Sequence, residues 1–143
     1  GTNLTEGRGT DRPFEQIGAP WLNAAAVVRT MNDRRLPGII FEAMTMPVAP
    51  TAAKFPGQTL PAIRFDVTDR QVYRPVRSAL LLIDAIRRQH PADFAWGKTI
   101  DRLTGSDKAR LAIDAGRLPA LLDEWDREAA AFRESRKSVL LYQ

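Results

Sequence analysis

Apolar residues recur at helical or strand spacing along most of this chain, and glycine or proline marks the breaks. Ala24, Val27, Val28 and Met31 fall at i, i+3, i+4 and i+7 behind Asn23, whose short amide suits an N-cap. That spacing predicts a helix stopped by RRLPG. GIIFEAMTMPV at 38–48 starts continuously apolar and is rich in β-formers, which predicts a mostly buried strand closed by Pro47 and Pro50. In AIRFDVTD at 62–69, Ile63, Phe65 and Val67 alternate with Arg64, Asp66 and Thr68, so a half-buried strand with a polar face is expected. TNL at 2–4 reads as a strand stub, and VAPTAAKFPGQT at 48–59 as the loosest stretch of the chain.

The second half reads as helices. Pro75 is placed to open one that runs to about Gln89, with Val76, Leu80 and Ile83 inward and Arg77, Asp84 and Arg88 outward. Ser106 is expected to cap a shorter helix that Gly116 terminates. The last helix begins near Pro119 and carries Leu118, Leu121, Leu122, Trp125, Ala129 and Phe132 on one stripe. Burial of those side chains, at about 25 cal/mol per Å², should anchor the core. SVLLYQ ends the chain as an apolar tail in need of a partner, and is expected as a terminal strand. This order predicts an α+β fold: a small mixed sheet of two to four strands packed with about four helices.

Composition narrows the function classes. The 143 residues suit a single domain, and 44% hydrophobic with 27% charged residues is ordinary for a folded chain. ALLLI at 79–83 is far shorter than the roughly eighteen apolar residues of a membrane span. Twenty-one Lys and Arg against seventeen acids give +4. Arginine dominates the cations, which suits an anionic ligand, although a GC-rich genome produces the same bias. Cations and anions alternate in DAIRRQ and DEWDREAAAFRESRK instead of gathering on one face, which argues against a nucleic-acid partner. The absence of cysteine excludes disulfides, thiolate metal sites and a Cys nucleophile. The single histidine, His90, ends a helix before proline, and neither zinc ligation nor a Ser–His–Asp triad gathers around it. GRG at 7–9 is too short to be a phosphate-binding loop.

Carboxylates and guanidinium groups remain. In TEGRGTDRPFEQIGAPW at 5–21, Gly7 and Gly9 bracket Arg8, next to Glu6. Two glycines around a charged residue cost folding entropy, so the backbone there needs their freedom. The stretch reads either as a polar turn or as a bend aiming a carboxylate and a guanidinium into a site. Asp69 and Arg70, at a strand end, form either a structural ion pair or part of such a site. In IDRLTGSDKAR at 100–110, Ser106 as a cap and Asp107 at a helix N-terminus explain the polarity.

Four blocks in this order, EGRGTDRPFEQIGAPW, VTDR followed by YRPV, IDRLTGSDKAR and RKSVLLY, resemble the NamZ-type exo-β-N-acetylmuramidases, a bacterial family long catalogued as a domain of unknown function. The resemblance runs from residue 1 to about residue 142. It implies a two-part glycoside hydrolase with a larger Rossmann-like N-terminal half, a smaller C-terminal half and a sugar site in the cleft between them. Such enzymes release N-acetylmuramic acid from the non-reducing ends of peptidoglycan fragments in cell-wall turnover. Residues 1–143 match only the C-terminal half as a single domain. The chain is therefore expected to be a piece of a longer, periplasmic or secreted protein, inactive alone and partnered by its missing N-terminal half.

By the same resemblance Glu6 is the candidate catalytic carboxylate, or a binder of sugar hydroxyls. Asn3, Arg8, Thr10, Arg12, Asp69 and Arg70 are candidate substrate contacts, with Arg8 or Arg12 facing the lactyl carboxylate of a muropeptide or other muramic-acid sugar. No metal or other cofactor is implied. Departures lie at Thr45, Met46 and Pro47, where relatives tend to show an aromatic-Thr-Pro run, and at Leu60 and Pro61, in place of a common Cys-Gly. A competing reading is an autonomous, non-catalytic carbohydrate-binding or protein-docking module of the cell envelope.

Overall fold

The computed structural model describes residues 1–140. Strands β1 (Gln16–Gly18), β2 (Ile39–Pro47) and β3 (Thr59–Val67) form one sheet in the order β1-β3-β2. Helices α1 (Ala24–Asp33), α2 (Pro75–Gln89), α3 (Ile100–Thr104), α4 (Lys108–Asp114) and α5 (Leu118–Ser135) complete an α+β domain. Both pairings are antiparallel, so the sheet is not mixed. None of the helices among the described residues is long and apolar enough to cross a membrane.

β2 and β3 pair along their whole length, from Ile39 opposite Val67 to Pro47 opposite Thr59. Side chains alternate faces, so this register puts Ile17, Ile39, Phe41, Ile63 and Phe65 together on the main core face. The Phe41 and Phe65 rings meet edge-on, with centroids 6.0 Å apart. β3 starts earlier than its alternation suggested, because Leu60 and Ala62 are buried on the opposite face with Met46 and Val48. Ala52 and Phe55, from the connection between β2 and β3, cover that second cluster. The loosest stretch is thus a lid over a small apolar core.

α1 behaves as its spacing predicted: Ala24, Val27 and Met31 are buried, and Asn23 Oδ1 accepts the Ala26 N–H at 3.2 Å. α2 departs from a single inward stripe. Leu80 is buried, but Val76 is 58% exposed in the first turn and Asp84 is only 4% exposed. α2 lies between α1 and α5, so its buried arc is wider than one stripe. The Asp84 carboxylate is balanced there by Arg88 Nε at 2.8 and 2.9 Å from its two oxygens.

α5 anchors the core through buried Leu118, Leu121 and Leu122, with Trp125 half-buried against it. Ala129 is exposed and Phe132 is 63% exposed, since the helix runs past the body it packs on. Spacing records that a helix is amphipathic, not what covers it. Ser138 and Val139 lie in a 3-10 turn, Arg136–Val139, in place of the expected strand, and residues 141–143 fall outside the described residues. α3, with five residues, is too short for its period to be read. Near the start, Leu4 is buried, Thr2 bridges to Trp96 and Thr5 to Gly18, which ties Thr5 to the end of β1 and Thr2 to the segment after α2.

Candidate functional site

The site begins where Thr5 is fixed. Its N–H donates to Gly18 O at 2.9 Å and its carbonyl accepts the Gly18 N–H at 3.1 Å, so Glu6 leaves a held backbone. The chain then turns through Gly7 and Gly9, with φ of 79° and 83°. Gly9 has a further reason to lack a side chain: a Cβ there would lie 2.7 Å from the Ala52 Cβ. The GRG bend is therefore where the β2–β3 connection closes down, tied by the Ala49 N–H to Gly9 O at 2.9 Å. Phe14 also adopts a left-handed φ of 68°, strained for a bulky residue, and its N–H donates to Glu6 O at 2.8 Å.

These residues edge a groove of about 590 Å³ between the main sheet face and α2. Ile17, Ile39, Phe41 and Phe65 line one wall, and Ala79, Leu82 and Ile83 the other. Glu6, Arg8, Lys54, Arg102 and Tyr73 bring polar groups to it. Arg8 Nε lies 3.2 Å from Glu6 Oε1, and Lys54 Nζ lies 3.2 Å from Glu6 Oε2. The Arg8 guanidinium also stacks over Phe14, 5.2 Å from the ring centroid. Burial pushes the Glu6 carboxyl up, but hydrogen bonds from Lys54 and its own backbone N–H, with the charges of Lys54 and Arg8, outweigh it and leave the pKa below its ordinary value. Glu6 is accordingly an anion at neutral pH, suited to accept hydrogen bonds or oppose positive charge and unsuited to donate a proton. Burial pushes the Tyr73 phenol up, so it stays protonated.

Of the residues singled out in the sequence, the structure brings Glu6 and Arg8 together on the groove. Asn3 braces another segment, donating to Asp93 O at 2.8 Å and accepting the Ala95 N–H at 3.0 Å. Thr10 holds the bend: its hydroxyl donates to Gly7 O at 2.6 Å and accepts from Gln16 Nε2 at 2.7 Å. Arg12 points outward and pairs with Glu15 at 3.5 Å. Asp69 and Arg70 are exposed beyond the end of β3 and do not line the groove. The Asp69 carboxylate accepts the Gln71 N–H at 2.8 Å, and its carbonyl accepts the Tyr73 N–H at 3.1 Å, so it shapes the turn that delivers Tyr73.

Lys54 and Tyr73 escaped the sequence reading. A lone lysine in a Pro- and Gly-rich connection carries no period, and Tyr73 sat in YRPV without a chemical partner nearby. His90 is structural: its Nε2 accepts the Asn23 N–H at 3.1 Å, and its ring packs on Trp21. Polar residues of IDRLTGSDKAR are likewise absorbed locally, with Arg110 gripping Asp101 through Nε at 2.9 Å and Nη2 at 2.8 Å.

Residues 1–142 match the family described as exo-beta-N-acetylmuramidase NamZ, C-terminal. The peptidoglycan beta-N-acetylmuramidase NamZ of Bacillus subtilis (strain 168) is 34% identical over 145 residues, covering 99% of this chain and 34% of that protein. A crystal structure of a DUF1343 family protein from Bacteroides fragilis NCTC 9343 is similar with a TM-score of 0.87 and 20% identity, over 99% of this chain and 38% of that one. At that identity the likeness speaks for the fold alone. The chain spans only a minor part of either relative's length.

Proposed function

The chain belongs to the NamZ C-terminal family, and from that premise we propose that it forms one wall of a cleft in which N-acetylmuramic acid is released from the non-reducing ends of peptidoglycan fragments. A Rossmann-like N-terminal half supplies the other wall, and this domain alone is inactive. A peptidoglycan substrate places the work in the periplasm or outside the cell.

The observation that carries this reading is the Glu6–Arg8 pair at the edge of the groove, on a bend held by Thr5, Gly7, Gly9 and Thr10. Glycoside cleavage usually takes two carboxyl groups, one of them a proton donor with a raised pKa. Glu6 has the opposite bias. It therefore serves as the ionised group, accepting hydrogen bonds from sugar hydroxyls and opposing the positive charge that develops on the ring, while the proton donor comes from the other half. The Arg8 side chain is 72% exposed and engages Glu6 through Nε. That leaves its terminal nitrogens to clasp the lactyl carboxylate of muramic acid in a two-point contact. Arg12, Asp69 and Arg70 lie off the groove, so the contact is assigned to Arg8.

Arg8→Lys in the full-length enzyme tests the assignment. Lysine keeps the charge but not the fork, so the preference for muramic over glucosamine termini should fall about tenfold. An unchanged preference refutes it. Calorimetric titration of this domain with N-acetylmuramyl disaccharide should show only weak binding, whereas micromolar affinity would favour a self-sufficient carbohydrate-binding module.

A further inference from the structure

The connection between β2 and β3 reaches the site although its sequence has no period. It is held by the Ala49 N–H on Gly9 O and by Ala52 and Phe55 over the second apolar cluster. From this anchored loop Lys54 extends its ammonium to Thr2 O, Leu4 O and Glu6 Oε2. An ammonium has three N–H donors, so these acceptors use all of them. The bend at Asn3 and Leu4 leaves the Thr2 and Leu4 carbonyls together on the ammonium, and Glu6 follows on the same segment.

We propose that Lys54 is a positioning residue for Glu6, fixing the carboxylate at the edge of the groove without touching the ligand itself. The inference rests on the role given to Glu6 above. The two cations on this carboxylate are not equivalent. Arg8 is 72% exposed and shares its other side with the exposed Phe14, whereas Lys54 is 38% exposed and committed to two backbone carbonyls. When Arg8 turns to an incoming carboxylate, Lys54 stays as the partner that keeps Glu6 in place. Among the influences lowering the Glu6 pKa against burial, the Lys54 hydrogen bond is the foremost.

The test is a double-mutant cycle in the full-length enzyme, following turnover of N-acetylmuramyl disaccharide across pH. Glu6→Gln should lower kcat/KM about 100-fold or more. Lys54→Met should lower it about tenfold and move the acidic limb of the pH profile upward by about one pH unit. In the Glu6→Gln background, Lys54→Met should cost less than about twofold, because a residue acting through another adds nothing once that other is gone. Independent, multiplicative losses with an unmoved acidic limb would show Lys54 to be a mere strut and overturn the inference. Parental turnover in Glu6→Gln alone would overturn the role of Glu6, and Lys54 with it; that outcome is visible in a different variant. If Lys54→Met does not fold, Lys54→Gln, which retains N–H donors for the carbonyls without the charge, takes its place with the same expectations.

Discussion

Gly38 and Asp69 are pressed together where β2 begins and β3 ends: a Cβ on Gly38 would overlap the Asp69 carbonyl oxygen. Gly38 has φ of 71°, and its own carbonyl accepts the N–H groups of Thr68 at 2.9 Å and Asp69 at 3.3 Å. The VTDR block is thus a backbone fastening. Through the Tyr73 N–H on Asp69 O, it also sets a phenol beside the groove.

Gly38→Ala should therefore destabilise the domain by about 3 kcal/mol, combining a disfavoured backbone conformation with displacement of a backbone carbonyl. Urea unfolding would show this as a lower midpoint at an unchanged m value. Asp69→Asn, which retains a side-chain acceptor for Gln71, should stay within about 0.5 kcal/mol of the parent.

Asn32, in the last turn of α1, pairs with Phe41 at the outer edge of β2. Its amide donates to Phe41 O at 2.9 Å and its oxygen accepts the Phe41 N–H at 3.0 Å. Among the described residues β2 pairs only with β3, so Asn32 occupies peptide groups that another strand could otherwise use. Asn32→Ala should cost about 1–2 kcal/mol and raise self-association, read by denaturant melts and light scattering.

The two halves of α5 should respond differently to truncation. Leu122 is 3% exposed, so Leu122→Ala should cost about 2–5 kcal/mol. Phe132 is 63% exposed, and in this domain Phe132→Ala should change stability by less than about 0.5 kcal/mol. Thermal melts of the pair decide whether α5 projects freely.

Acid should destabilise the fold through depressed carboxylates. The Arg110 hydrogen bond, against partial burial and with the Arg110 charge, lowers Asp101 below its ordinary 3.8. Glu6 lies below its ordinary 4.5. For such groups the unfolded chain binds protons first, so their stabilisation is complete above the unfolded values and is lost as pH falls through the folded ones. Unfolding free energy should decline from about pH 5 downward, and Glu6→Gln with Asp101→Asn should flatten that decline in denaturation series between neutral and acid pH.

Local chemistry settled much of this protein. Asn23 with Ala24, Val27 and Met31 encodes α1 because cap and spacing need only neighbours in the chain. The alternation around Ile63 encodes β3, and the glycines flanking Arg8 announce a bend that lack of a Cβ alone allows. Glu6 and Arg8 were legible as a pair because a single residue, Gly7, separates them and a turn joins them.

What the chain could not declare was every relationship that depends on a distant segment. The burial of Asp84 depends on α2 lying between two other helices, and the exposure of Phe132 on how far the rest of the body reaches. The second face of β3 is buried because a proline-rich connection folds over it. That same closure carries Lys54 across 48 positions to Glu6. Periodicity reports the environment a residue prefers; only tertiary packing decides which segment provides it, and with that which lone charge meets which.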